Sequence, residues 1–77
     1  MRELLVYLAR ALVDQPDKVE VQEFEEDDET LVLELSVAED DVGKVIGRGG
    51  RTAKALRSVM KAGGAKDGKR ILVEIVD

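Results

Sequence analysis

The chain has 77 residues, 44% of them hydrophobic, with no cysteine, no histidine and a formal net charge of −5. That length suits one domain, residues 1–77, burying roughly 60–65% of its unfolded surface. Without cysteine there are no disulfides or thiolate metal sites, without histidine the commonest general base and metal ligand are missing, and no apolar run is long enough to span a bilayer. The expected protein is a cytoplasmic non-enzyme with no metal or cofactor.

Residues 2–13 read as a helix, because Leu4, Leu5, Leu8, Ala11 and Leu12 recur at three- and four-residue spacing. Asp14-Gln15-Pro16-Asp17 ends it, since proline disfavours helix at the residue before it. Residues 18–24 read as a strand with Val19 and Val21 inward; Phe24 falls on the other parity, which predicts a bulge or an early strand end. An acidic tip, Glu25-Glu26-Asp27-Asp28-Glu29, leads into the clearest strand, residues 30–37, where Leu31, Leu33, Leu35 and Val37 alternate with Val32, Glu34 and Ser36. The short connection makes the pair an antiparallel hairpin.

Residues 39–43 are expected to form a short helix capped by Ser36, with acids in its first turn and Val42, Val45 and Ile46 sharing a face. A glycine turn follows. Residues 51–62 then form a helix with Ala53, Leu56, Val59 and Met60 on one side and Arg51, Lys54, Arg57 and Lys61 on the other. Gly63-Gly64 reads as its left-handed stop, Asp67-Gly68 as a turn, and residues 70–76 as a closing strand. Three strands and three helices in this order make an α+β two-layer sandwich.

Charge is segregated along this frame. Residues 14–43 hold thirteen acids and one base, whereas residues 44–61 hold six bases and no acid. At the centre of the basic island stands Gly47-Arg48-Gly49-Gly50. Glycine lets a sugar–phosphate chain approach the peptide plane, and the helix that follows offers unpaired N–H groups to an anion. Arg48 can pair a phosphate oxygen. Nucleic-acid binding is therefore expected despite the acidic total. A bare helix–helix turn is the plainer alternative, and four glycines within eight residues argue against it. A P-loop needs glycine where Val45 stands and lysine where Arg51 stands, and no calcium-loop spacing is present.

The stretch Val45-Ile46-Gly47-Arg48-Gly49-Gly50-Arg51-Thr52-Ala53-Lys54-Ala55-Leu56 resembles the core signature of the KH domain, two helices joined by a Gly-x-x-Gly loop. The element order resembles the type II form, and the whole chain is similar to the small bacterial KH proteins of the KhpA group. The resemblance implies a three-stranded mixed sheet covered on one face by three helices. It implies a clamp on about four nucleotides of single-stranded RNA, an apolar groove involving Val45, Ile46, Ala53 and the last strand, and a variable loop at residues 62–69 opposite the clamp. RNA-binding residues would be Lys44, Val45, Ile46, Gly47, Arg48, Gly49, Gly50, Arg51, Lys54, Lys69 and Arg70. Arg57 and Lys61 read as solubilising. Only Tyr7 and Phe24 are aromatic and both are remote from the clamp in sequence, so stacking platforms are not expected and sequence preference should be loose.

Also implied by the resemblance are a homodimer, a heterodimer with a larger KH-containing RNA-binding protein of the KhpB (Jag) type, and RNA-chaperone or post-transcriptional roles in cell-shape and envelope control. Ala62-Gly63-Gly64-Ala65 offers small residues for a partner's close approach. The alternative reading is a dimerising interaction adaptor with little RNA binding of its own.

Overall fold

A computed structural model describes residues 1–76. Helix α1 runs Arg2–Leu12, strand β1 Glu20–Glu25, β2 Thr30–Ser36, α2 Val42–Ile46, α3 Arg51–Lys66 and β3 Arg70–Val76. Single 3-10 turns occupy Pro16–Lys18, Glu39–Asp41 and Arg48–Gly50. β2 pairs antiparallel with β1 and parallel with β3, giving the sheet order β1-β2-β3. A parallel pair needs a crossover, and α2 and α3 supply it. The result is the α+β architecture implied by the resemblance, a mixed three-stranded sheet with three helices on one face.

The core lies between the layers. Leu33 and Leu35 of β2, Val21 of β1, and Ile71 and Val73 of β3 meet Leu5 and Ala9 of α1, Val45 of α2, and Leu56 and Met60 of α3. Alternation along β2 puts these leucines inward. Burying each such side chain is worth about 1.5–3 kcal/mol, which fixes the strand register against a one-residue slip.

Several expectations are corrected. No bulge interrupts β1: pairing is unbroken from Glu20 opposite Ser36 to Glu25 opposite Leu31. Phe24 keeps its parity and lies on the open face of the sheet, in one row with Val32 and Leu72. Glu23 takes the inward parity near the hairpin tip and stays exposed, so the strand has no reason to break. At that tip the Glu29 amide donates to Asp27 Oδ1 at 2.8 Å and holds the Asp27 carboxyl below the usual carboxylate range.

Ser36 does not cap a helix; it stays in the β ladder between Glu20 and Val76. Residues 39–41 form the 3-10 turn and α2 begins only at Val42. Ile46 does not share the buried face with Val45, being 39% exposed. In α1 the buried positions are Leu5 and Ala9, while Leu4, Ala11 and Leu12 lie at the surface. Val59 of α3, expected inward, is 46% exposed.

Gly63-Gly64 does not end α3, which continues to Lys66. A Cβ on Gly64 would run into Ile71 Cγ1 and lie 2.9 Å from the Lys69 carbonyl oxygen. The glycine is there so that the helix can touch the start of β3. The left-handed residue after the helix is Gly68, at φ 70°. The expected loop at 62–69 therefore shrinks to residues 67–69. Within the segment 62–65 the two glycines pack inside the chain, Gly64 against Ile71 and Gly63 where a Cβ would meet Met1 Cε at 2.7 Å, while Ala62 and Ala65 are exposed.

Candidate nucleic-acid interface

The glycine turn stands where two helices meet at the surface. α2 closes with the Gly47 amide donating to the Gly43 carbonyl at 2.8 Å, and the Gly50 amide donates to the Gly47 carbonyl at 3.1 Å. Gly47 has φ 77° and ψ 171°, a region essentially restricted to glycine. A Cβ there would collide with Thr52 Oγ1, so the backbone leaves α2 pressed against the first turn of α3. Gly49 (φ 64°, ψ 19°) and Gly50 (φ 78°, ψ 11°) are left-handed and open, and a Cβ added to either would meet nothing within 4 Å.

Between these corners lie the amides of Arg48 and Gly49. Among the described residues neither donates to a backbone carbonyl or a side chain. Two successive amides at such a turn form an anion-binding concavity. It leads directly into a 16-residue helix, whose N-terminus adds positive potential. Arg48, Arg51 and Lys54 are exposed around it. Lys44 is held by an ion pair, its Nζ 3.3 Å from Asp14 Oδ2, and both side chains are substantially exposed, so the pair is weak and open to exchange.

The structure gathers Lys44, Gly47, Arg48, Gly49, Gly50, Arg51 and Lys54 at one end of α3. Val45 and Ala53 are buried below them in the core, while Ile46 is partly exposed beside the turn. Lys69 and Arg70 are at the other end of α3, about 24 Å away by helix rise. There the Lys69 ammonium donates to the Asp28 carbonyl at 2.6 Å, and Lys61, Ala65, Lys69 and Arg70 face Asp27 and Glu29 across a shallow depression.

Arg57 does more than solubilise the helix, which corrects the expectation for it. Its Nε donates to the Val73 carbonyl at 3.2 Å, on the edge of β3 not paired with β2. Its position three residues after Lys54, on the same stripe, is the signal the sequence offers. On the other flank of α3, Leu8, Ala11 and Leu12 of α1 and Thr52, Ala55, Leu56 and Val59 of α3 line an open apolar groove of about 270 Å³.

The family model described as "KhpA/KhpB, KH domain" matches residues 2–75. The chain belongs to the KhpA/KhpB KH-domain family. Among its relatives, the RNA-binding protein KhpA of Halalkalibacterium halodurans is 52% identical over 77 residues, covering 100% of both chains. That of Clostridium acetobutylicum is 50% identical over 76 residues, 99% of this chain and 100% of the relative. That of Bacillus subtilis is 44% identical over 77 residues, 100% of this chain and 94% of the relative. No solved structure gives a significant match. In this KhpA/KhpB-type KH domain the Gly-x-x-Gly turn occupies the slot between α2 and α3. Among the described residues no helix is long and apolar enough to cross a membrane, and no cluster of acidic side chains is arranged to hold a metal ion.

Proposed function

We propose that this protein binds single-stranded RNA, with the sugar–phosphate chain gripped at Gly47, Arg48, Gly49 and Gly50. The observation that carries the proposal is the pair of unpartnered amides of Arg48 and Gly49 at the head of α3. The naming of its relatives as RNA-binding proteins supports RNA as the ligand. Arg48 supplies a charge-assisted contact, and Arg51, Lys54 and Lys44 steer the strand. Bases turn toward Ile46 and the edge of β3, and Lys69 and Arg70 receive the far end. Its role is that of a cytoplasmic RNA chaperone or post-transcriptional regulator, working with a KhpB-type partner in cell-shape and envelope control.

A second reading, pairing with another KH protein, is favoured by the apolar groove between α1 and α3. One KH unit has a small footprint, and pairing raises avidity. The two readings use different flanks of α3 and are compatible.

The clamp is tested by Arg48→Asp combined with Gly49→Asp. Aspartate tolerates the left-handed region better than most residues, so circular dichroism should be unchanged while RNA affinity is lost. Unchanged affinity in the folded double variant rejects the site. With three or four phosphates engaged, log K should fall with log salt at a slope of about −2 to −3, from roughly −0.7 per phosphate on single strands.

A further inference from the structure

Val73 lies on the edge strand of the sheet, and its carbonyl points away from β2 toward the side chains of α3. Arg57 takes that carbonyl with Nε at 3.2 Å. A guanidinium has five N–H donors and no acceptor. One is spent on Val73, and among the described residues no acidic side chain pairs with the rest. The side chain is nonetheless exposed. It is thus an arginine fork fixed at its base by a backbone oxygen, with its remaining donors unclaimed by acids.

Its place on α3 gives the fork a use. Arg51 and Lys54 stand at the clamp end of the basic stripe, and Lys61 lines the depression that also holds Lys69 and Arg70. Arg57 falls between, about 10 Å along the helix from Gly50. A strand gripped at the turn and drawn toward Arg70 passes over it. The edge acceptor that a base could otherwise have used is already occupied by Arg57, so bases meet donors there.

We infer that Arg57 is a specificity-determining residue, reading a base that presents two adjacent acceptors. Such edges are the O2/N3 edge of cytosine and the O6/N7 edge of guanine. Adenine sets its N6 amino donor beside both N1 and N7, its N3 has no second acceptor next to it, and the N3–H of uracil separates its two carbonyls. A planar fork matches paired acceptors bidentately, whereas lysine, a point charge, does not. Fixing the guanidinium on Val73 reduces the freedom lost when a base docks. This inference rests on the proposal that the strand is held at residues 47–50.

The test uses the full chain with uridine octamers whose two central residues are uridine, adenosine, cytidine or guanosine, and Arg57→Lys as the variant. Wild type should bind the cytidine or guanosine octamer about tenfold tighter than the uridine and adenosine ones, the size of one bidentate contact; comparing those two arms tells which edge is read. Arg57→Lys should flatten the series to within about twofold, since a point charge does not match paired acceptors. Thermal melting of the variant confirms that it is folded, and Arg57→Gln serves as the second variant if lysine disturbs the α3–β3 contact. Wild-type binding without base preference, as stacking on the guanidinium plane would give, overturns the inference, as does a preference that survives both variants. Binding of no octamer overturns the clamp itself and this inference with it, and is distinguished by its loss of uridine binding.

Discussion

The backbone N–H of Gln15 donates to Asp41 Oδ2 at 3.0 Å, and the neighbouring Asp14 N–H reaches Oδ1 at 3.3 Å. Asp41 is 1% exposed, so this carboxylate is satisfied by main-chain donors from the segment that leaves α1. It fastens that segment to the start of α2, and the Lys44–Asp14 ion pair fastens it again at the surface. Replacing Asp41 by alanine leaves two partly buried amides without their acceptor. A cost of about 2 kcal/mol is expected, lowering Tm by about 10 °C in a domain of this size. Calorimetry checks it; a Tm within about 2 °C of wild type contradicts the anchoring role.

Adjacent glycines in α3 should respond oppositely to alanine. At Gly63 the added methyl meets only the flexible end of Met1, at 2.7 Å. Alanine favours helix over glycine by about 0.8–1 kcal/mol, so Gly63→Ala should stabilise by about 0.5 kcal/mol. At Gly64 the methyl runs into Ile71 and the Lys69 carbonyl, and overpacking costs about 1–3 kcal/mol. Gly64→Ala should therefore destabilise by up to about 2 kcal/mol after the helix gain is subtracted. Urea unfolding of both variants decides; stabilisation at both sites would mean that α3 and β3 are not in contact at Gly64.

Such details separate what local sequence can announce from what it cannot. The alternation in β2 and the helix–turn–helix around Gly47 are legible because their periods and turn chemistry are local. So is the grouping of Arg48, Arg51 and Lys54, since a turn and one helical face place them together. Gly63-Gly64 misleads because a double glycine looks the same whether it stops a helix or admits a neighbouring strand, and only Ile71 distinguishes the two. Asp41 misleads for a similar reason: an acid early in a helix suggests a dipole contact, and its true partners lie 26 and 27 positions away in sequence. Leu12 and Val59 satisfy an apolar period, yet they sit at the margin of the packed face, where the period does not distinguish core from groove.

Within the proposed clamp, two glycines should separate folding from binding. Alanine at Gly47 faces both the restricted backbone region and Thr52, and a loss of about 3 kcal/mol is expected. Alanine at Gly49 has open space and carries only the left-handed penalty of about 1–2 kcal/mol. Its methyl stands beside the exposed amides, however, and should weaken RNA binding by about tenfold, the value of one charge-assisted hydrogen bond. Melting curves and fluorescence anisotropy on the same samples test the division. Wild-type affinity in folded Gly49→Ala would mean that the strand does not approach the backbone there.

The groove between α1 and α3 makes a prediction about assembly. Leu12 and Val59 are 39% and 46% exposed and face the same opening as Leu8, Ala11 and Ala55. Thr52 lines it too and also abuts Gly47, so a partner seated there rests against the back of the clamp. Val59→Asp places a charge in the groove without entering the core, so thermal stability measured on dilute protein should change by less than about 0.5 kcal/mol. Light scattering on the concentrated wild type should show a dimer and on Val59→Asp a monomer. RNA affinity should fall with the loss of pairing, because two linked clamps bind one strand with higher avidity than one. A wild type that stays monomeric at high micromolar concentration removes self-pairing and leaves the groove to a different KH partner. A variant that stays dimeric moves the interface elsewhere on the molecule.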